Sequence, residues 1–172
     1  MEAGAINLRR RALLRGEPSA PPPLRPPWAI GEARFTQACT RCDACVEACP
    51  ERLLVRGSGG FPEAVFAHRA CTFCGDCLRA CPRGALHRPA PAAANAWLHT
   101  VAFGTACLSM HGVVCRVCGE VCEPRAIGFR LQTGGRAQPG LEPDRCTGCG
   151  ACIAACPAGA VTVHHDSAED AS

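Results

Sequence analysis

The chain has 172 residues, enough for one or two small domains, and a formal net charge of +3. Its 16 cysteines leave two main classes, a secreted disulfide scaffold or an intracellular metal protein. No stretch approaches the roughly 18 apolar residues of a transmembrane helix, so we expect no membrane span.

The N-terminal segment 7–27 begins with arginines, like a twin-arginine export signal. Such a signal needs an apolar stretch of roughly 7–15 residues, whereas here only Ala12–Leu14 precede Arg15. Six of the twelve residues at 16–27 are prolines, which favour a stiff, solvated conformation. We therefore expect a basic, proline-rich arm at residues 1–35 and a cytoplasmic protein, whose grouped cysteines bind metal.

Three cysteine runs share the spacing C-x2-C-x2-C-x3-C-P: CTRCDACVEACP from Cys39, CTFCGDCLRACP from Cys71 and CTGCGACIAACP from Cys146. This is the bacterial ferredoxin signature of [4Fe-4S] cubanes, in which a tight loop presents three thiolates to one cluster. Zinc sites use pairs of ligands and explain this spacing poorly. The candidate ligands are Cys39, Cys42, Cys45, Cys49, Cys71, Cys74, Cys77, Cys81, Cys146, Cys149, Cys152 and Cys156.

A fourth cysteine run, third in chain order, is irregular. It supplies Cys107, Cys115, Cys118 and Cys122, with seven residues in its first gap instead of two. We predict Cys107 as a ligand of a fourth cluster, because a longer loop can return its thiol to the cube. The alternatives are a buried structural cysteine or an incomplete, labile cluster. His111, inside this loop, is expected to be a solvated histidine rather than a ligand.

The fourth cysteine of each run is expected to cross to its neighbour's cluster, as in two-cluster ferredoxins. Cys81 would then join the first three cysteines of the first run, and Cys49 those of the second. If each run instead holds its own cube, the sixteen ligands stay the same. Small residues in the loops are expected to let backbone N–H groups approach the cluster sulfurs: Ala44, Gly75, Gly148 and Gly150.

The segments between the runs predict a small α+β fold. ERLLVRGSGGFPEAVFAHRA and PRAIGFRLQTGGRAQPGLEPDR each place two apolar stretches around a glycine-rich turn, which indicates a β-hairpin. GAL after Cys81 and GAVTVHH after Cys156 indicate closing strands. We therefore predict two tandem bacterial-type 2[4Fe-4S] ferredoxin-like units, at 36–88 and 107–165. Units this small bury little apolar area, so the clusters would stabilise them and the metal-free form would be largely unfolded.

The predicted linker at 89–106 begins rich in proline and alanine, and a short helix is expected around Trp97. Trp28 and Trp97 are expected to dock the arm and the linker on the cluster units, the alternative being contact with a partner. Residues 166–172 are expected to be a disordered tail.

The charge of the clusters bears on which partners the protein can bind. Each oxidised cubane with its thiolates carries about −2, so four would change the net charge from +3 to about −5. We therefore expect no nucleic-acid partner. No constellation of a catalytic acid, base or nucleophile is evident, so no catalytic residue is predicted and the protein is not expected to be an enzyme.

The order of these features resembles the NapF family, the ferredoxin-type accessory proteins of periplasmic nitrate reductase systems. The resemblance runs from about Arg10 to the last run and includes RRALLRG, RPPW, RGSGGFP, the Trp97 linker and ACLSMHGVVCRVC. It implies a cytoplasmic iron–sulfur protein that acts on the precursor of the nitrate reductase catalytic subunit before export, in maturation or cluster assembly. The alternative is an electron-transfer subunit or relay of a membrane or soluble oxidoreductase without a maturation role.

Overall fold

The computed structural model describes residues 22–87 and 96–165. Most of the predicted arm, the first part of the linker and the predicted tail lie outside these residues. Contacts divide the chain into two units, and the described part of the first comprises 22–65 and 74–87. The second comprises 66–73 and 96–165, so Cys71 belongs to a different unit from the rest of its run. The domain limits from the sequence stay predictions.

The first unit contains a short hairpin and three helices. The helices are α1 (Glu32–Ala38), α2 (Ala44–Glu47) and α3 (Asp76–Arg79). The strands β1 (Leu54–Arg56) and β2 (Pro62–Ala64) pair antiparallel. Gly59 and Gly60 make the turn between them with φ of 70° and 78°, values that glycine adopts without strain. The hairpin predicted between the first two runs is confirmed.

A buried arginine anchors the segment before α1 to this hairpin. The Arg25 guanidinium donates to both carboxylate oxygens of Glu32, at 2.7 and 2.9 Å. It also lies 5.3 Å from the ring centroid of Phe35 and 5.2 Å from that of Phe61. Trp28 is buried in the same unit, at 4% exposed, as predicted for a tryptophan that docks the arm.

The closing strand predicted at GAL after Cys81 is wrong. Leu86 forms only an isolated antiparallel bridge with Ala29. Flanking hydrogen bonds run from Ile30 N–H to the Ala85 carbonyl and from His87 N–H to the Trp28 carbonyl. The opposing segment cannot extend the pairing, because prolines without N–H groups precede it and α1 begins at Glu32.

The second unit contains two antiparallel strand pairs. β3 (His99–Phe103) pairs with β6 (Val161–His165), and β4 (Ile127–Leu131) pairs with β5 (Ala137–Leu141). The helices are α4 (Val117–Glu120) and α5 (Ala151–Ala154), and a 3-10 turn covers Leu108–His111. The second predicted hairpin and the strand after Cys156 are confirmed. Among the helices that the structure describes, none combines the length and apolar character that crossing a bilayer requires.

The short helix predicted around Trp97 is wrong, because a strand follows that residue at once. Along β3, His99 and Val101 are buried and Ala102 is exposed, an alternation that suits a sheet. The residues of β3, HTVAF, are mostly of types that favour strand, and the segment pairs with β6. Trp97 itself is buried in this unit, at 7% exposed, which agrees with its predicted docking role.

Candidate metal centres

Three cavities are each lined by four cysteines, three from one run and one from its neighbour. Cavity I, in the first unit, is lined by Cys39, Cys42, Cys45 and Cys81. Cavity II, in the second unit, is lined by Cys146, Cys149, Cys152 and Cys122. Cavity III, also in the second unit, is lined by Cys107, Cys115, Cys118 and Cys156. The crossed order expected from two-cluster ferredoxins is therefore the order in which the structure brings these side chains together.

The remaining four cysteines are divided between the units. Cys49, Cys74 and Cys77 lie in the first unit and Cys71 lies in the second. Their grouping stays a prediction. No disulfide joins any of the sixteen cysteines. In the part of the chain that the structure describes, no cluster of cysteine, histidine or carboxylate side chains is arranged to hold a single metal ion.

The cysteine loops of the first and fourth runs each contain two residues in the left-handed backbone region. They are Arg41 and Asp43 in the first run, with φ of 59° and 60°, and Gly148 and Gly150 in the fourth, with φ of 70° and 78°. Alternating right- and left-handed residues turn successive N–H groups toward one point and form a nest for an anion. Such a loop suits a negatively charged iron–sulfur cage.

Backbone N–H groups also point at the crossed cysteines of the second unit. Ala126 N–H donates to Cys122 Sγ at 3.2 Å, and Ala160 N–H donates to Cys156 Sγ at 3.3 Å. Both donors lie four residues after their acceptors, although proline follows Cys156 directly whereas Glu123 stands between Cys122 and Pro124. A hydrogen bond to sulfur stabilises the thiolate and tunes any cluster that it binds.

Burial raises the pKa of the inner thiols, so they stay protonated at neutral pH without metal. Desolvation raises the pKa of Cys45 and of Cys118 to about 11, and that of Cys152 to about 12. The exposed Cys42 behaves oppositely, because a hydrogen bond from the Ala44 N–H lowers its pKa. Iron must therefore displace protons from the buried thiols, and its positive charge replaces theirs. Four thiols around an apolar cavity with N–H donors fit a [4Fe-4S] cluster.

The long loop of the third run is held in place, and it brings Cys107 to cavity III. Ser109 is buried, and its hydroxyl donates to the Ala137 carbonyl at 2.8 Å. His111 is exposed, with its Nε2 2.7 Å from the Thr105 carbonyl oxygen. The histidine thus lies at the surface, as expected for a loop residue.

A cluster of three aromatic side chains lies at the loop of the fourth run, with Phe66 and Trp97 in contact with its glycines, a feature that sequence reasoning missed. Phe66, Trp97 and His99, here called the aromatic cover, have ring centroids 5.1 to 5.5 Å apart. A Cβ on Gly148 would lie 2.7 Å from the Trp97 Cβ, and one on Gly150 would collide with the Phe66 ring. These glycines are therefore required by the aromatic cover as well as by their positive φ.

Substitution of Gly150 by alanine should severely destabilise the second unit. The left-handed conformation costs an L-residue about 1–2 kcal/mol, and overpacking against Phe66 costs about 1–3 kcal/mol more. Gly159→Ala is the matched control, because Gly159 has φ of 58° but no atom within 4 Å of a Cβ. We expect denaturant unfolding of the cluster-loaded protein to show a markedly larger loss for Gly150→Ala. Equal losses in both variants would contradict the close packing of Phe66.

Comparison with known proteins identifies the relatives of this chain. The family of 4Fe-4S dicluster domains matches residues 38–85 and 113–160. Ferredoxin-type protein NapF of Escherichia coli strain K12 is 42% identical over 161 residues, covering 93% of this chain and 96% of that protein. The chain belongs to the NapF family. NapF of Haemophilus influenzae is 41% identical over 169 residues, covering 92% of this chain and 94% of that protein.

A more distant relative of this NapF-family chain carries a different name. The methylamine utilization ferredoxin-type protein MauM of Methylorubrum extorquens is 38% identical over 155 residues, covering 81% of this chain and 70% of that protein. No solved structure matches the chain. The second dicluster match begins after Cys107, at residue 113, although the structure places this cysteine in cavity III.

Proposed function

We propose that this NapF-family protein is a cytoplasmic polyferredoxin that acts on the precursor of the periplasmic nitrate reductase catalytic subunit before its export, in maturation or cluster assembly. The observation that carries the iron–sulfur part is the crossed grouping of cysteines around cavities I to III. Membership of the NapF family supports the assignment to nitrate reductase.

Each cavity would hold one [4Fe-4S] cluster, which takes up and releases one electron. The motif cysteines bind the iron, the left-handed loops supply N–H groups, and the apolar lining limits access of water. The crossed cysteines Cys81, Cys122 and Cys156 tie neighbouring runs together. By the same rule, Cys49 would complete a fourth set with Cys71, Cys74 and Cys77. In this role the protein needs no catalytic acid, base or nucleophile.

Cavity III is the site from which a cluster would be given up. Its first ligand, Cys107, precedes a loop of seven residues, and closing a longer loop costs more entropy than closing a short one. Val113 and Val114, just before Cys115, are exposed to solvent. Cavity III therefore combines a longer ligand loop with an accessible edge, both of which favour release of the cluster to a partner.

The test is anaerobic transfer of ⁵⁷Fe from the labelled protein to the cluster-free precursor. We expect label to appear in the precursor and nitrate reductase activity to rise. Cys107→Ser should abolish both effects. The other three clusters should stay in place, as measured by iron content and Mössbauer spectra. Full maturation by this variant would contradict cavity III as the donor.

Retention of all label by the wild-type protein would contradict cluster donation. The function would then be the alternative, electron transfer as a subunit or relay of an oxidoreductase. Crossed ligation supports that alternative equally, because it places two cubanes close together within one folded unit.

A further inference from the structure

The cysteine loops of the third and fourth runs both line a cavity in the second unit, but their surroundings differ. Gly148 precedes Cys149 and lies beneath Trp97 of the aromatic cover. Val114 stands at the corresponding position before Cys115, and this residue is 93% exposed. Val113 beside it is 51% exposed. The chain thus covers the loop at cavity II with its own aromatic residues and leaves the loop at cavity III open and apolar.

The tip of the β4–β5 hairpin extends this open surface. Ser109 is bonded to Ala137 on β5, and a Cβ on Gly112 would lie 3.7 Å from the Gly134 carbonyl oxygen in the hairpin turn. The loop before Cys115 therefore lies against the hairpin. Leu131, opposite Ala137 in the strand pair, is 74% exposed. Exposed apolar side chains therefore lie both on the loop and at the end of the hairpin that the loop contacts.

Unpaired positive charge borders the apolar area. The Arg116 guanidinium lies 5.0 Å from the Phe129 ring centroid, and Phe129 lies on the same face of β4 as Leu131, two residues away. Arg136 lies in the hairpin beside Ala137. Both arginines are exposed, and neither forms an ion pair with a carboxylate of the described residues. We call Val113, Val114, Arg116, Leu131 and Arg136 the loop–hairpin surface.

We propose that the loop–hairpin surface docks a folded protein that presents carboxylates around an apolar patch. The partner would bury Val114 and Leu131 as the aromatic cover buries Gly148, and its carboxylates would pair with Arg116 and Arg136. This inference rests on the proposed function, in which the partner is the nitrate reductase precursor. Docking there brings the partner to the edge of cavity III.

A second copy of the chain fits this surface less well than an acidic partner. In a twofold-symmetric dimer the same patch is used by both copies, so the interface would bring together four arginines, and the five residues of the surface include no carboxylate to pair with them. Like charges brought together across an interface oppose association. Charge complementarity therefore favours a different, acidic protein.

The experiment measures binding of the cluster-loaded protein to the cluster-free nitrate reductase precursor by anaerobic biolayer interferometry. We expect Leu131→Asp and Val114→Asp each to raise Kd at least about tenfold, the effect of losing a central contact. Arg116→Glu should slow association and reduce its dependence on salt. Neither Leu131 nor Arg116 binds a cluster. Iron content and visible absorbance of each variant verify that its clusters are retained.

Two substitutions serve as matched controls. Val55→Asp adds the same charge at an exposed valine of the first unit, and Arg130→Glu reverses a charge on the opposite face of β4. Both should leave Kd within about twofold of wild type. If Leu131→Asp and Val114→Asp bind as tightly as the controls, the docking surface is overturned while the proposed function stands.

Two other outcomes would also overturn the proposal. Absence of any binding by the wild-type protein would remove the proposed partner and the docking surface together. Analytical ultracentrifugation of the wild-type protein and of Leu131→Asp tests whether a second copy of the chain occupies the surface. A wild-type dimer that this substitution dissociates would assign the surface to a second copy of the chain.

Discussion

Replacing Cys156 with alanine is expected to remove the cluster of the third run and to leave that of its own, fourth run in place. The reason is that Cys156 lines cavity III with Cys115 and Cys118, whereas Cys122 completes cavity II. Iron analysis should show a loss of about four iron atoms per chain, the content of one cubane.

Double variants identify which cluster is lost. Cys156→Ala combined with Cys115→Ala should lose about four iron atoms, because both cysteines belong to cavity III. Cys156→Ala combined with Cys149→Ala should lose about eight, because Cys149 belongs to cavity II. The reverse pattern would mean that each run holds its own cube. Loss of all iron from the Cys156 single variant would instead mean that the clusters assemble as one cooperative unit.

The cysteine grouping was accessible from sequence because cube geometry constrains it locally. Three thiols around one cube require short, regular gaps, and the proline after Cys156 marks the point where the chain turns back. The hairpins were accessible for the same local reason, since glycines separate two apolar stretches. The crossed position of Cys81 followed from the repeat of a known two-cluster arrangement rather than from spacing within one run.

Features that depend on pairing between segments far apart in the chain could not be predicted from the sequence. The strand β3 replaces the expected helix because it pairs with β6, which follows the last cysteine run. Leu86 forms a single bridge because the arm opposite it contains prolines and then enters α1. Each outcome depends on a segment far along the chain, and a local pattern contains no information about which segment becomes the neighbour.

The aromatic cover illustrates the same limit at the site. From sequence alone, the small size of Gly148 and Gly150 is explained by the approach of backbone N–H groups to the cluster sulfurs. The structure adds a second reason, the close packing of Trp97 and Phe66 against them. Phe66 comes from the segment between the first two runs, so nothing near the fourth run indicates that it packs there.

Removal of the clusters is expected to abolish the cooperative fold of the second unit and to loosen the first. In the second unit the hydrophobic core itself contains cysteine: Val101, Ile127 and Val161 are buried around Cys152. The partly buried Cys118, Cys122 and Cys156 pack against this core. Without clusters, the core would enclose the cavities between these thiols, and unfilled cavities destabilise a protein in proportion to their volume.

The metal-free chain would depend on the apolar area buried by its other side chains. Many of its other buried positions are alanine, which contributes little apolar area: Ala64, Ala85, Ala96, Ala126, Ala137 and Ala160. In small metal-bound domains the free energy of metal binding is largely the free energy of folding. We therefore expect the chain to acquire its fold as iron replaces the protons of its thiols.

The two tryptophans report on the two units separately. Trp28 is buried in the first unit and Trp97 in the second, and the chain contains no others. Trp28→Phe and Trp97→Phe variants thus leave one reporter each. After anaerobic oxidation and chelation of iron, we expect the emission maximum of both variants to shift to the red and proteolysis to reach both units. A metal-free protein that keeps blue-shifted emission and melts cooperatively would show that side-chain packing alone maintains the fold.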